Sequence, residues 1–424
     1  MPVLAVVGAQ WGDEGKGRVV DWLAARADVV VRFQGGDNAG HTVHNEHGIF
    51  KLHSVPSGIF RPEVACVIGA GCVVNPDGLR RELAEIESAG VGTANLRIDE
   101  RAHLVMPWHL QLDGIEEAGR SASQQIGTTR RGIGPCYTDK AARRGIRAGD
   151  LLRPELLRER VVAAARWHDI ALRHFEQPPI DVDAVLAACA DHALTLGARI
   201  GDTTALLERA QDAGETILLE GQLGVMRDLD WGIYPYVTSS SPTAAYAPAG
   251  AGLGAGAIDG AIGVVKAYST SVGGGPFPTE LHDATGERLR RIGGEFGATT
   301  GRPRRCGWLD AVALRYAVRR NGLTALVLTK LDVLDDFDQI AVADAYDLDG
   351  VRLDRWPTTA DQACVVPRYQ WLPGWQAPTA ALRDWSALPE AARAYVRAVE
   401  RWAGVPVTHV SVGPERDAIL EVPR

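Results

Sequence analysis

Residues 3–27 read VLAVVGAQWGDEGKGRVVDWLAARA. An apolar run at 3–7 breaks into a glycine-rich loop at 8–17, and an amphipathic stretch follows to about Ala27. This order predicts a strand, a loop and a helix. Backbone N–H groups at such a helix start favour a phosphate, and the ammonium of Lys16 would lie beside them. The segment therefore predicts an α/β fold that binds a phosphorylated ligand at its first loop.

The first loop departs from the common GxxxxGK[ST] pattern. Six residues separate Gly8 from Gly15, and Gly17 follows Lys16 where a hydroxyl residue is usual. Because no hydroxyl follows the lysine, Asp13 is the natural oxygen ligand for Mg²⁺. The alternative is a plain glycine turn with a surface lysine.

The same pattern of apolar runs continues along the chain. Runs at 29–33 and 64–68 each lead into glycines, which predicts repeated units of strand, glycine turn and helix. Residues 150–211 have near-helical apolar spacing. Further elements are predicted as strands at 216–219, 261–266, 324–328 and 407–410 and a helix at 389–402. We expect one large α/β domain over 1–424, similar to P-loop NTPases: a large, mostly parallel central sheet with helices on both faces, a helical insertion at about 100–212 and a base-binding part at about 324–424.

Composition excludes several classes of protein. The 424 residues are 46% hydrophobic and 23% charged, as in a soluble globular protein. The net charge of −8 argues against a nucleic-acid partner. Six cysteines without a CxxC pair argue against a disulfide framework and a zinc site. No run approaches the ~18 apolar residues of a membrane span, so we expect a cytoplasmic protein without a membrane partner.

A second motif indicates a guanine nucleotide. Thr329-Lys330-Leu331-Asp332 follows an apolar run and resembles the [NT]KxD element of guanine-nucleotide proteins. A carboxylate at Asp332 can accept from both N1–H and the 2-amino group of guanine, and adenine offers no such pair of donors. The motif predicts GTP or GDP as the ligand.

Two arginine-rich clusters predict anion binding. One is at 299–305, and the other is at 128–135 with Lys140, Arg143 and Arg144. Guanidinium groups bind carboxylates and phosphates in bidentate fashion, although a basic surface loop is the alternative. His41, His44 and His47 repeat every three residues without the helical spacing of common zinc sites. Only His41, in the second glycine loop, is a candidate for chemistry.

These stretches together resemble the adenylosuccinate synthetase family, whose members use GTP to join aspartate to inosine monophosphate. The resemblance covers nearly the whole chain in the family's order. Its motifs are QWGDEGKG (10–17), NAGHT (38–42), PSGIF (56–60), IGTT (126–129), RGIGP (131–135), DKAARRG (139–145), YPYVTSS (234–240), KAYST (266–270), GPFPTE (275–280), EFGATTGR (295–302), GWLD (307–310), TKLDVLD (329–335) and LPGW (372–375).

The resemblance implies a catalytic pair and a metal. A carboxylate matching Asp13 takes the proton from N1 of the 6-oxopurine and, with Gly40, holds Mg²⁺, so that O6 attacks the γ-phosphate of GTP. His41 matches the residue that stabilises the transferring phosphoryl group. The amino group of aspartate then displaces phosphate from C6.

The resemblance also implies three groups of binding residues and a homodimer. For GTP they are Gly12, Gly15, Lys16, Gly17, Gly40, Thr42, Lys330, Asp332, Ser411 and Gly413. For the purine nucleotide they are Asn38, Thr128, Thr129, Gln222, Leu223, Thr238 and, from the other subunit, Arg143. For L-aspartate they are Thr299, Thr300, Arg302 and Arg304.

Several positions depart from the family's pattern. Leu223 stands where a glutamine beside O6 is usual, and Gln222 is one place early, so Gln222 could replace that contact if the loop shifts by one residue. The other departures are Asp37, Arg130, Thr138 and Pro303. Two alternatives follow: the same chemistry on another acceptor, such as dGMP or a purine-analogue nucleotide, or a guanine-nucleotide switch protein. The switch protein leaves Asp13, His41 and the 299–305 cluster unexplained.

Overall fold

The computed structural model describes residues 2–121, 125–297 and 301–423. The helices in these ranges are α1 (Lys16–Leu23), α2 (Pro76–Ser88), α3 (Pro107–Gly119), α4 (Ile133–Ala141), α5 (Pro154–His174), α6 (Val182–Leu196), α7 (Thr204–Asp212), α8 (Ala247–Ala251), α9 (Ala284–Gly293), α10 (Ala311–Asn321) and α11 (Glu390–Ala403). The strands are β1 (Val3–Gly8), β2 (Val29–Arg32), β3 (His41–Asn45), β4 (Gly48–Leu52), β5 (Ala65–Ile68), β6 (Val73–Val74), β7 (Leu96–Asp99), β8 (His103–Leu104), β9 (Ile200–Gly201), β10 (Ile217–Gly224), β11 (Gly260–Lys266), β12 (Ser269–Ser271), β13 (Arg305–Gly307), β14 (Leu309–Asp310), β15 (Ala325–Thr329), β16 (Gln339–Leu348), β17 (Val351–Leu353), β18 (Val366–Pro373), β19 (Val407–Ser411) and β20 (Ile419–Glu421).

Ten strands form one sheet in the order β20-β19-β15-β11-β1-β10-β2-β5-β7-β9. Every neighbouring pair is parallel except β19 and β20. The prediction of a large, mostly parallel sheet is confirmed. In such a sheet ligands bind beyond the carboxyl ends of the strands, and the first loop follows the central strand β1.

Helices cover the sheet on both faces, as predicted. Val6 of β1 packs with Val19 and Val20 of α1, whereas its neighbours Ala5 and Val7 belong to the core on the opposite face. That second core includes apolar residues of α10 and α11. Burial on both faces explains why the strand reads as a continuous apolar run.

The prediction of a helix after β2 is wrong. The glycine turn that follows β2 leads to a hairpin of β3 and β4. Val43 is buried between two half-exposed neighbours, and Phe50 and Leu52 are buried across the hairpin. This alternation has the period of a strand.

The described part of the segment at about 100–212 contains five helices, α3 to α7, and two short strands. One of the strands, β9, pairs with β7 and extends the main sheet. The segment is therefore not purely helical. Two-residue strands carry too little pattern for the sequence to show them. Across the described residues, no helix has the length and apolarity needed to span a bilayer.

Candidate active site

The first loop wraps around the buried carboxylate of Glu14. The backbone N–H groups of Gln10 and Gly12 donate to its Oε1 at 3.1 and 2.9 Å. Lys16 Nζ lies 2.5 Å from its Oε2. Glu14 therefore fixes the loop and balances the charge of its lysine. Nothing in the sequence pattern distinguishes Glu14 from a surface acid.

Asp13 lies on the other side of this loop and faces a cavity of about 330 Å³. Its backbone is left-handed, with φ 59°, and its side chain is 30% exposed. The cavity brings together residues that the sequence analysis assigned to three ligands: Asn38, Gly40, Thr128, Thr129, Leu223, Thr238 and Arg302.

His41 is positioned by Glu220, which lies in the middle of β10. Its Nδ1 lies 2.6 Å from Oε1 of Glu220, and that carboxylate also accepts from the backbone N–H and hydroxyl of Ser57 at 2.8 and 2.7 Å. Burial lowers the pKa of His41, and Glu220 opposes this change. Gly17 allows the close approach of α1, since a Cβ there would lie 2.4 Å from the Cβ of His41. Sequence reasoning found His41 but missed Glu220.

The structure separates Gln222 from Leu223. Gln222 is fully buried, accepting from Arg32 Nη2 at 2.6 Å and donating to Asn38 Oδ1 at 2.9 Å. Leu223, with φ 59°, lines the cavity instead. The side-chain amide of Gln222 is engaged by two protein groups, and its predicted contact with the nucleotide stays a prediction. Its hydrogen bond to Asn38 links Gln222 to the cavity, which Asn38 lines.

Two acidic residues of α3 hold the opposite wall of the cavity. Glu117 accepts from the N–H groups of Gly127 and Thr128 at 2.7 and 3.3 Å, and Asp113 accepts from Gly132 N–H at 2.8 Å. Arg302 donates to the carbonyl of Gly127 at 3.0 Å. The segment that carries Thr128 and Thr129 is thus fixed through its backbone, which leaves these side chains on the cavity.

Arg227 is a buried cation that the sequence analysis missed. It follows β10, lines the cavity and donates to Tyr236 O at 2.5 Å and Ser271 Oγ at 2.7 Å. No carboxylate of the described residues forms an ion pair with it. Burial lowers the pKa of Arg227 to about 10, so it stays charged at neutral pH. It joins two walls of the cavity and makes the interior more favourable for anions.

The predicted guanine-binding residues form a second group beyond the first loop. Lys330 and Asp332 follow β15, where Thr329 Oγ1 donates to the carbonyl of Glu14 at 2.6 Å. Burial raises the pKa of Asp332, and Lys330 opposes the change. Ser411 ends the neighbouring strand β19, donates to Gly413 O at 3.2 Å and accepts from Arg18. Arg18 is a further residue that the sequence analysis missed.

Two predicted residues cannot be placed relative to the cavity, and a third does not line it. Thr299 and Thr300 are outside the described residues. Arg143 has left-handed backbone, with φ 62°, and an exposed side chain that does not line the cavity. Within one chain, Arg143 is therefore not part of the candidate site.

The histidines 41, 44 and 47 do not form a metal-binding group in the described residues, but His109, Asp139 and His168 lie together. Both histidines contact Asp139 Oδ2, at 2.9 and 2.7 Å, and Arg144 contacts its other oxygen at 2.7 Å. Nδ1 of His109 accepts from the N–H of Met106, so its Nε2 carries the proton that Asp139 accepts. This cluster is satisfied internally and stabilises the packing of α3, α4 and α5.

A comparison with protein families decides the relationship, because the model of the adenylosuccinate synthetase family matches residues 5–420. The chain belongs to the adenylosuccinate synthetase family. It is 48% identical to the adenylosuccinate synthetase of Dehalococcoides mccartyi strain BAV1 over 422 residues, which cover 99% of this chain and 100% of that one. The corresponding enzyme of Frankia alni is 48% identical over 424 residues, 100% of this chain and 99% of that one.

Solved structures agree with the family. Fully ligated adenylosuccinate synthetase from Plasmodium falciparum superposes with a TM-score of 0.94 at 35% identity, with both chains covered completely. The succinoaminodeoxyadenylate synthetase of cyanophage S-2L, bound to dGMP and dATP, has a TM-score of 0.64 at 21% identity and covers 100% of this chain and 96% of its own, which shows the fold alone.

Membership of the adenylosuccinate synthetase family makes this chain a ligase of purine biosynthesis that uses GTP as co-substrate. The alternatives of a switch protein and of a different acceptor are not favoured by these relatives.

Proposed function

We propose that this chain joins L-aspartate to C6 of inosine monophosphate through a 6-phosphoryl intermediate and releases GDP and phosphate. One observation carries the proposal: Asp13, on the phosphate loop, lines the same cavity as Asn38, Thr129 and Thr238. A base on that loop can deprotonate N1 of a purine while the γ-phosphate is held next to O6.

His41 would stabilise the phosphoryl group during transfer. Its Nδ1 is engaged by Glu220, which leaves Nε2 for the substrate. Binding of a phosphate anion beside the ring favours the protonated imidazole and opposes the effect of burial on the pKa. Glu220 then stabilises the imidazolium from behind.

The residues of the cavity fit a magnesium ion. The carboxylate of Asp13 and the backbone of Gly40 both border the cavity, and Mg²⁺ prefers such hard oxygen donors. A bound Mg²⁺ supplies neutralisation of charge on the phosphates of GTP. Asp13 would then serve both as base and as metal ligand.

A homodimer would complete the nucleotide site. Arg143 is exposed in the single chain, on a left-handed turn that follows α4. A guanidinium presented in this way can reach a phosphate on a neighbouring subunit across a two-fold axis.

Asp332→Asn should switch the nucleotide preference from guanine towards xanthine. The amide can donate to the 2-oxo group of xanthine, whereas it repels the 2-amino group of guanine. Turnover with GTP should fall at least roughly tenfold, with a gain for XTP. Rates with GTP, XTP and ATP would be measured at fixed inosine monophosphate and aspartate. Unchanged preference for GTP would remove Asp332 from the base site.

A panel of acceptor nucleotides tests which purine nucleotide the chain uses as its substrate. Rates would be compared for inosine monophosphate, dGMP and ring-modified purine nucleotides, with products identified by mass spectrometry. We expect inosine monophosphate to be preferred at least roughly tenfold, and Leu223→Gln to lower that rate because it puts a polar side chain where Leu223 forms an apolar part of the cavity wall. Leu223→Met, which keeps an apolar side chain, is the matched control. A tenfold preference for another nucleotide would overturn the assigned acceptor and leave the ligase chemistry intact.

A further inference from the structure

Arg304 is shared between two carboxylates of different character. Its Nε lies 2.9 Å from Oδ2 of Asp13, and its Nη1 lies 2.6 Å from Oε2 of Glu295. Asp13 is 30% exposed on the cavity, whereas Glu295 is completely buried. Arg304 thus has one partner that can move towards a ligand and one that cannot.

Glu295 is held from several directions. Its Oε1 accepts from Lys266 Nζ at 2.8 Å and from the hydroxyl of Tyr268, and Lys266 also donates to Thr270 Oγ1 at 2.7 Å. The backbone N–H of Arg304 donates to the carbonyl of Glu295 at 2.9 Å. Burial opposes ionisation of Glu295, but Lys266 and Arg304 outweigh it and lower its pKa to about 2. The carboxylate is a fixed anion that holds Arg304 at neutral pH.

The four groups joined by these ion pairs have balanced charges only while Asp13 is one of them, and Lys330 adds a further positive charge nearby. Asp13 and Glu295 are negative, and Arg304 and Lys266 are positive. In the proposed reaction Asp13 turns to N1 of the purine and to Mg²⁺. The remaining three groups then carry one net positive charge at the edge of the cavity, which a substrate carboxylate can neutralise.

We propose that Arg304 exchanges its Asp13 partner for a carboxylate of L-aspartate, and that Glu295 is the positioning residue that keeps Arg304 in place during the exchange. L-Aspartate therefore competes with Asp13, and its subsite becomes available when Asp13 engages the acceptor. The inference rests on the proposed function through the assignment of Arg304 to aspartate.

The exchange predicts that loss of the Asp13 charge tightens the binding of aspartate. Asp13→Asn keeps a residue that tolerates left-handed backbone and removes the competing anion. Equilibrium dialysis of labelled L-aspartate would be carried out on the full chain without GTP or nucleotide. We expect the variant to bind at least roughly threefold more tightly than the wild type. If the wild type and Asp13→Asn bind labelled L-aspartate equally, or if neither binds it, the proposed exchange is wrong.

The positioning role predicts a selective kinetic effect in Glu295→Gln. The KM for aspartate should rise at least roughly tenfold, with the KM values for GTP and inosine monophosphate within about threefold of wild type. Glu280→Gln is the matched control, because Glu280 binds the neighbouring Arg305 at 2.8 Å and is not part of the network around Asp13. An unchanged KM for aspartate in Glu295→Gln, or an equal rise in Glu280→Gln, contradicts the role of Glu295.

Product analysis of the wild type distinguishes failure of the proposed function from failure of the exchange. If the proposed function is wrong, the wild type forms no product that contains aspartate. If only the exchange is wrong, the wild type forms that product while Asp13→Asn gains no affinity for aspartate. Asp13 is on the surface of the cavity, so Asp13→Asn stays informative even if Glu295→Gln does not fold.

Discussion

Asp13→Asn should lose nearly all ligation while it still binds GTP. General-base catalysis contributes on the order of 10²–10⁴ in rate, and the amide cannot take the proton from N1. The phosphate loop keeps its shape, because Glu14 and not Asp13 accepts the loop N–H groups. Steady-state turnover and GTP affinity, measured separately, check the expectation.

Asp230→Asn makes the same change of charge at an exposed position and is the control. Its turnover should match the wild type. Turnover of Asp13→Asn within threefold of this control would rule out Asp13 as the base, and a parallel loss of GTP binding would point to damage of the phosphate loop.

Mixing two inactive variants should restore activity if Arg143 acts across a dimer interface. Chains with Arg143→Leu and chains with Asp13→Asn each lack one component of every site in their own homodimer. A hybrid dimer has one site with both wild-type residues. Random mixing of equal amounts makes half of the dimers hybrid, so activity should recover to about a quarter of wild type.

Hybrid formation would be verified by native mass spectrometry of differently tagged chains. Each variant alone, at the same total concentration, is the control. If hybrids form but activity does not recover, Arg143 does not act in the partner's site. If the chain is a monomer at the working concentration, the proposed homodimer is wrong.

The loop at 8–17 and the position of residues 329–332 at a strand end were predictable because both patterns are local in sequence. A loop such as 8–17 needs glycines at a strand end, and Lys330 and Asp332 are two residues apart at the end of β15. The alternation of apolar runs and glycines likewise predicted the parallel sheet. Each of these features is contained in a window that a strand or helix period can reveal.

The partners of the candidate catalytic residues were not predictable in this way. His41 and Glu220 are 179 positions apart, and their contact exists only because β10 lies between β1 and β2 in the sheet. Glu295 and Lys266 meet through tertiary packing in the same manner. The sequence also left the roles of Gln222 and Leu223 open, because a change of one position on a strand end reverses the side that a residue faces.

The most direct test of the account follows the oxygen atom of the acceptor. Inosine monophosphate labelled with ¹⁸O at C6 would be incubated with the chain, GTP, Mg²⁺ and L-aspartate, and the products would be analysed by mass spectrometry. If O6 attacks the γ-phosphate and the amine then displaces it, the label appears in inorganic phosphate, and the purine product contains aspartate nitrogen at C6 in its place. Phosphate without the label, or GTP hydrolysis without a product that contains aspartate, would contradict the central claim.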